Sequence, residues 1–197
     1  MFVKFENLPS HSRVWVYQSD RKFTTQEVAL ISEKAIAFVD QWTKHGSDLQ
    51  GSFVIKYNQF LVLAVDEGFN NVSGCSIDSS VRFVQEVEKV LGVDMMNKMN
   101  ISFKDGEHIN SVKMTIFKEF VLAHKITSET IVFNNMITTK QELETHWEVP
   151  LLDSWHKRFL NRLLMPWFWF QIVRFVSYLF NYELSIFNYE LYFRITN

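Results

Sequence analysis

Ser52-Phe53-Val54-Ile55-Lys56-Tyr57-Asn58-Gln59-Phe60-Leu61-Val62-Leu63-Ala64-Val65 is the stretch on which the fold turns. Two β-rich runs, Ser52 to Tyr57 and Phe60 to Val65, flank Asn58-Gln59, a connection that suits a hairpin although the preferred Asn-Gly pair is missing. The second run is apolar on both faces, which predicts a central strand.

Before the hairpin, Arg13-Val14-Trp15-Val16-Tyr17-Gln18 alternates and is β-rich, so it predicts a strand with Trp15 and Tyr17 on one face. A helix follows. Thr24 with Glu27 forms a capping-box pattern, Val28, Ile31, Ala35, Phe38, Val39 and Trp42 recur at steps of three and four, and Gly46 marks a stop. After the hairpin comes a loop from Asp66 to Asp78. Val81, Val84, Val87, Val90 and Leu91 then mark a second helix that starts at Asp78 or Ser79 and ends near Gly92. Ile101-Ser102-Phe103 predicts another strand before the Asp105-Gly106 turn.

The order so far is βαββαβ, the ferredoxin-like order, which predicts an α+β fold built as a two-layer sandwich. Beyond it, Ser111 to His124 reads as a third helix with Val112, Ile116, Phe117, Phe120 and Val121 inward. A short strand, Thr130 to Phe133, precedes a helix capped by Thr139 with Glu142. Pro150 ends that helix, leaving Leu151 to Phe159 as a closing turn with Trp155 packed.

Composition bounds the function classes. The 197 residues are 47% hydrophobic with a formal net charge of -2, so one real core is expected and no global attraction to nucleic acid or anionic membrane. One cysteine cannot form an internal disulfide, and Met1 to Pro9 has neither the charged nor the apolar region of a secretory signal. The expected address is cytoplasmic.

The last 38 residues hold 12 of the 31 aromatics and none of the six glycines, which separates residues 160–197 from a single domain at 1–159. Phe180-Asn181-Tyr182-Glu183-Leu184 is repeated as Phe187-Asn188-Tyr189-Glu190-Leu191. A membrane span from Leu163 to Asn181 would bury Arg174, at about 2.5–3.5 kcal/mol on insertion scales. A membrane-surface or partner-docking helix tolerates Arg162 and Arg174 better. The preferred reading is an adventitious extension fused to a finished domain.

The strings RVWVYQSDRKFT, QWTKHG, SGCSIDSSVRF and TIVFNN resemble those of a small family of bacterial proteins labelled "ABC transporter ATPase", which typically end near this chain's residue 159. That resemblance implies the same view of the tail and supplies no catalytic residue. The label meets a physical objection. A Walker A loop needs a lysine to neutralise phosphate after its glycines, and Gly46-Ser47-Asp48-Leu49-Gln50-Gly51-Ser52-Phe53 has the glycine spacing, no lysine, and a carboxylate.

Chemistry concentrates in Gly74-Cys75-Ser76-Ile77-Asp78-Ser79-Ser80-Val81-Arg82-Phe83. Cys75 is a candidate nucleophile, but a phosphatase loop needs Cys-x5-Arg and here Cys75 and Arg82 are separated by six residues. A cysteine hydrolase needs a nearby histidine, from His45, His108, His124, His146 or His156. Ser76, Ser79 and Ser80 at a helix start could hold a small anion such as phosphate, with Arg82 or Arg21 as partner. Asp78 competes with that anion as an N-cap. Asp66, Glu67 and Asp78 are a weaker divalent-metal set, and Arg21 and Lys22 beside Tyr17 and Trp15 are too few charges for nucleic acid.

The sequence therefore points to a non-catalytic binding or interaction domain with an anion site from Gly74 to Ser80. The alternative is a small hydrolase using Cys75, or metal held by Asp66 and Asp78. No cofactor signature is present, and the expected partner is a small anionic ligand or another protein.

Overall fold

The computed structural model describes residues 1–160 other than 45, 46, 49, 67 and 69–73; of residues 43, 44, 47, 48 and 74–76 it describes the backbone alone. The chain divides into two compact units, Met1–Trp155 and His156–Asn197. The readings placed on Leu163 to Asn181 lie outside the described residues. Among the described residues no helix is long and apolar enough to cross a membrane.

The chain is mixed α+β with antiparallel sheets. Strands β1 (Arg13–Gln18), β4 (Gln50–Lys56) and β5 (Phe60–Asp66) form the first sheet in the order β1-β5-β4, with β2 (Thr43–Lys44) and β3 (Ser47–Asp48) a separate short pair. The expected hairpin forms, but its register is one residue from that of an Asn58-Gln59 loop: Lys56 lies opposite Phe60, Ile55 opposite Leu61 and Phe53 opposite Leu63. Its turn is shifted. Tyr57 and Asn58, both with positive φ (55° and 50°), are the central residues, and Gln59 N–H closes the turn on Lys56 O at 3.1 Å.

Strand β5 is central and buried on both faces because every side chain from Phe60 to Val65 is apolar. On one face, Leu61, Leu63 and Val65 join Tyr17 against helix α1 (Thr25–Asp40) and helix α2 (Gly74–Leu91) through Ile31, Ala35, Val39, Val84 and Val87. Phe38 of α1 stacks on Phe83 of α2 at 4.5 Å between ring centroids. The α1 capping box forms in both directions between Thr24 and Glu27.

The other face departs from the two-layer expectation. Phe60, Val62 and Ala64 pack against Phe133, Leu143 and Trp147, so a further layer covers the sheet. Fully burying an aliphatic side chain stabilises by roughly 1.5–3 kcal/mol, so an apolar strand with one bare face would forgo about half of its contribution.

That layer is a second sheet in the order β7-β6-β8-β9, built from β6 (Asn100–Asp105), β7 (His108–Lys113), β8 (Ile131–Phe133) and β9 (Glu148–Pro150). A ferredoxin-like fold would hold the strand at residues 101–103 beside β1. It pairs instead with β7 and, through Phe103 and Val132, with β8. The third helix is shorter than expected: α3 spans Met114–Leu122, because Ser111 to Lys113 continue β7 opposite Asn100 to Ser102. Phe117 and Val121 are its buried residues, whereas Ile116 is exposed. Helix α4 (Lys140–Thr145) carries the Thr139/Glu142 capping box. Residues 151–153 and 155–159 form 3-10 turns, and Trp155 is half-buried.

Candidate functional site

Helix α2 begins at Gly74, four residues before the expected cap at Asp78. Asp78, Ser79 and Ser80 therefore lie inside it, and the unpaired N–H groups of its first turn belong to residues 74–77. Ser80 is fully buried and its hydroxyl donates to Ile77 O at 2.7 Å, while the Tyr17 phenol also meets it. Burial raises the Tyr17 pKa and the Ser80 contact opposes that rise. Ser80 is thus a packed core hydroxyl facing the sheet. Asp78 and Arg82 are exposed and Ser79 is half-buried. The side chains of Cys75 and Ser76 lie outside the described residues.

Arg21 does not reach that helix start. Its guanidinium binds Glu27 with two hydrogen bonds, at 2.9 and 2.7 Å, and donates to Leu91 O at 3.0 Å, at the opposite end of α2. The helix rises about 1.5 Å per residue, so Leu91 lies roughly 16 Å along the axis from Ser80. Arg21 fixes the end of α2 to the start of α1.

Asp66, at the end of β5, accepts from Gly68 N–H at 2.9 Å and lies 3.4 Å from His11 Nε2. This pairs Asp66 with the one histidine outside the five expected candidates. Among the described residues no three His, Cys, Asp or Glu side chains are grouped as a metal ion would need. His108 opens β7, His124 follows the cap of α3 and His146 caps α4; all three are exposed. β7 and α4 belong to the layer on the face of the first sheet away from α2.

Gly51, the second glycine of the Walker-like spacing, has a packing reason to be glycine. A Cβ there would lie 2.9 Å from Val39 Cγ1 and 3.4 Å from Trp42 Cε3, beneath α1.

A concave site among the described residues lies elsewhere. A cleft of about 740 Å3 opens between the β6–β7 hairpin, the end of α3 and the approach to β8. Phe103, Val112 and Phe120 give it apolar lining; Asp105, Lys125 and Glu129 are its exposed charged residues. Phe103 and Phe120 meet edge-on at 6.3 Å, and Lys125 Nζ lies 5.3 Å from the Phe120 ring centroid. Beside the cleft, Glu148 accepts from the Tyr57 hydroxyl at 2.7 Å and from Lys104, whose ammonium also lies 5.3 Å over the Tyr57 ring. Hydrogen bonding to Glu148 raises the Lys104 pKa.

Comparison with protein-family models, with curated proteins and with solved structures finds no match. Function therefore rests on this chain's own geometry. The sequence missed the cleft because its lining comes from segments about 20 residues apart, which only the pairing of β6 with both β7 and β8 assembles. Its two aromatics, Phe103 and Phe120, lie on β6 and α3 with the whole of β7 between them, so no local spacing joins them in the sequence.

Proposed function

We propose that this chain is a non-catalytic binding domain whose ligand seat is the cleft between the β6–β7 hairpin and the end of α3. The observation that carries the reading is the cleft itself, which has the size of ligand sites, roughly 300–1,000 Å3, and a lining divided about evenly between polar and apolar surface, with Asp105, Lys125 and Glu129 exposed. The anion reading of Gly74 to Ser80 is the weaker one, since Ser80 is engaged within the core and Arg21 with Glu27.

The same proposal keeps a ferredoxin-like ancestry for β1, α1, β4, β5 and α2, supported by the order β1-β5-β4, with the second sheet as an addition. It also keeps kinship with the bacterial proteins labelled "ABC transporter ATPase", supported by the shared strings, and a cytoplasmic address, supported by the single cysteine. None of these adds a site residue.

A screen of small fragments against the full chain by ligand-observed NMR tests the reading. Hits should be lost in Asn110→Trp, which places a bulky ring in the cleft from a half-exposed strand position. Hits that persist in that variant would place binding elsewhere.

One observation favours a second reading, a small hydrolase: His11 and Asp66 are 3.4 Å apart at the end of β5, nine residues before Cys75. Rapid alkylation of Cys75 by iodoacetamide at neutral pH, slowed in His11→Ala, would support it. An unreactive thiol in the native chain would end it.

A further inference from the structure

Resting on the reading of the cleft as the binding seat, we propose that its ligand is a small amphiphilic cation, an ammonium group carried on an apolar body. The apolar part of the site includes two rings beside Val112, Ile126 and Ile131: Phe103, 6% exposed, meets the half-buried Phe120 edge to face at 6.3 Å, and both line the cleft. Aromatic faces carry negative charge density and attract ammonium groups within about 6 Å of the centroid.

The protein already places such a group there. Lys125 Nζ stands 5.3 Å over Phe120, and Lys125 has no ion pair among the described residues. What holds its ammonium is therefore the ring. A flexible, exposed lysine in that position acts as an internal stand-in that a ligand cation can displace.

The fixed charges agree. Asp105 and Glu129 line the cleft, both are exposed, and neither has an ion pair among the described residues. The carbonyl end of α3, next to Phe120, adds partial negative charge. On the positive side stand Lys125, which is displaceable, and Lys104, whose ammonium is taken by Glu148. An anion would face two carboxylates with one free ammonium to meet it; a cation would gain both carboxylates and the rings.

Phenethylammonium and phenylacetate, which share a ring and differ in the sign of charge, separate the outcomes when titrated into the full chain by isothermal calorimetry. Phenethylammonium should bind and phenylacetate should not. Lys125→Ala should tighten phenethylammonium about two- to fivefold by removing the competing ammonium, and Glu129→Gln should weaken it by a similar factor. Equal binding of the two probes, a preference for phenylacetate, or loss of phenethylammonium binding in Lys125→Ala would overturn the cation assignment while leaving the cleft as a site. If neither probe binds at millimolar concentration and the fragment screen also finds no ligand lost in Asn110→Trp, the binding reading falls with it.

Discussion

Gln59 joins the two sheets through Ser111: its side-chain amide nitrogen donates to Ser111 Oγ at 2.8 Å and to Ser19 O at 3.1 Å. Ser111 in turn meets Ser102 across β6 and β7, and Gln59 is 2% exposed. Removing this amide would strand buried acceptors and open a cavity. Gln59→Ala should cost about 2–4 kcal/mol in urea unfolding, and a double-mutant cycle with Ser111→Ala should show coupling of about 1 kcal/mol. A Gln59→Ala variant as stable as the parent would contradict this role.

Gly51→Ala should destabilise by about 1–3 kcal/mol, because the new methyl enters 2.9 Å from Val39 Cγ1 in a packed layer. Pairing it with Val39→Ala should recover part of the loss. If Gly51→Ala is neutral in thermal unfolding, the glycine is not there for packing.

His124 follows α3 with φ 55°, and Lys125 N–H closes on Phe120 O at 2.9 Å, the left-handed helix ending that glycine suits best. His124→Gly should stabilise by about 0.5–1 kcal/mol, and His124→Val should destabilise by at least as much. The reverse order of melting temperatures would refute the assignment.

Glu27 and His156 contribute to the acid response, as does Glu142, whose carboxyl is held below its ordinary pKa first by the Thr138 backbone N–H. The Arg21 hydrogen bonds, then the Thr24 backbone, hold the Glu27 carboxyl at about 2 against an ordinary 4.5. This depressed folded pKa gives stability that is present above about 4.5 and lost as pH falls toward 2. His156 is 1% exposed, and burial, with Arg158 in support, lowers its pKa from 6.5 to about 3. The folded state then binds fewer protons than the unfolded one between those values, so stability falls from pH 6.5 down to 3. Urea midpoints measured from pH 7 to 2 should show both declines. Glu27→Gln should flatten the lower one, and the His156 imidazole resonances should remain those of the neutral ring at pH 5. An imidazolium spectrum there would contradict the burial.

The first half of the fold was legible because its signals are local. Thr24/Glu27 is a complete capping box, and the two-faced apolar run from Phe60 to Val65 admitted no position but the centre of a covered sheet. The second half was not, since β7 carries polar residues at Asn110 and Ser111, and the apolar spacing of Val112, Ile116 and Phe117 imitates a helix through a strand-to-helix junction. The candidate site failed for a related reason. Gly74 starts α2 directly after Ser73, itself a favourable cap residue type, but Asp78 and Ser79 compete as cap signals further on, so the later serines read as a helix entrance although Ser79 and Ser80 lie past it. Arg21 is not available to an anion because the Glu27 carboxylate that closes the capping box on Thr24 N–H also binds its guanidinium, a double use that the capping-box spacing does not reveal.

Amide chemical-shift mapping of the full, isotope-labelled chain during titration with phenethylammonium tests the binding account most directly. The account predicts perturbations confined to the cleft, at Phe103, Asn110, Val112, Phe120, Lys125 and Thr130. Perturbations centred on residues 74–82, with the cleft unmoved, would contradict it.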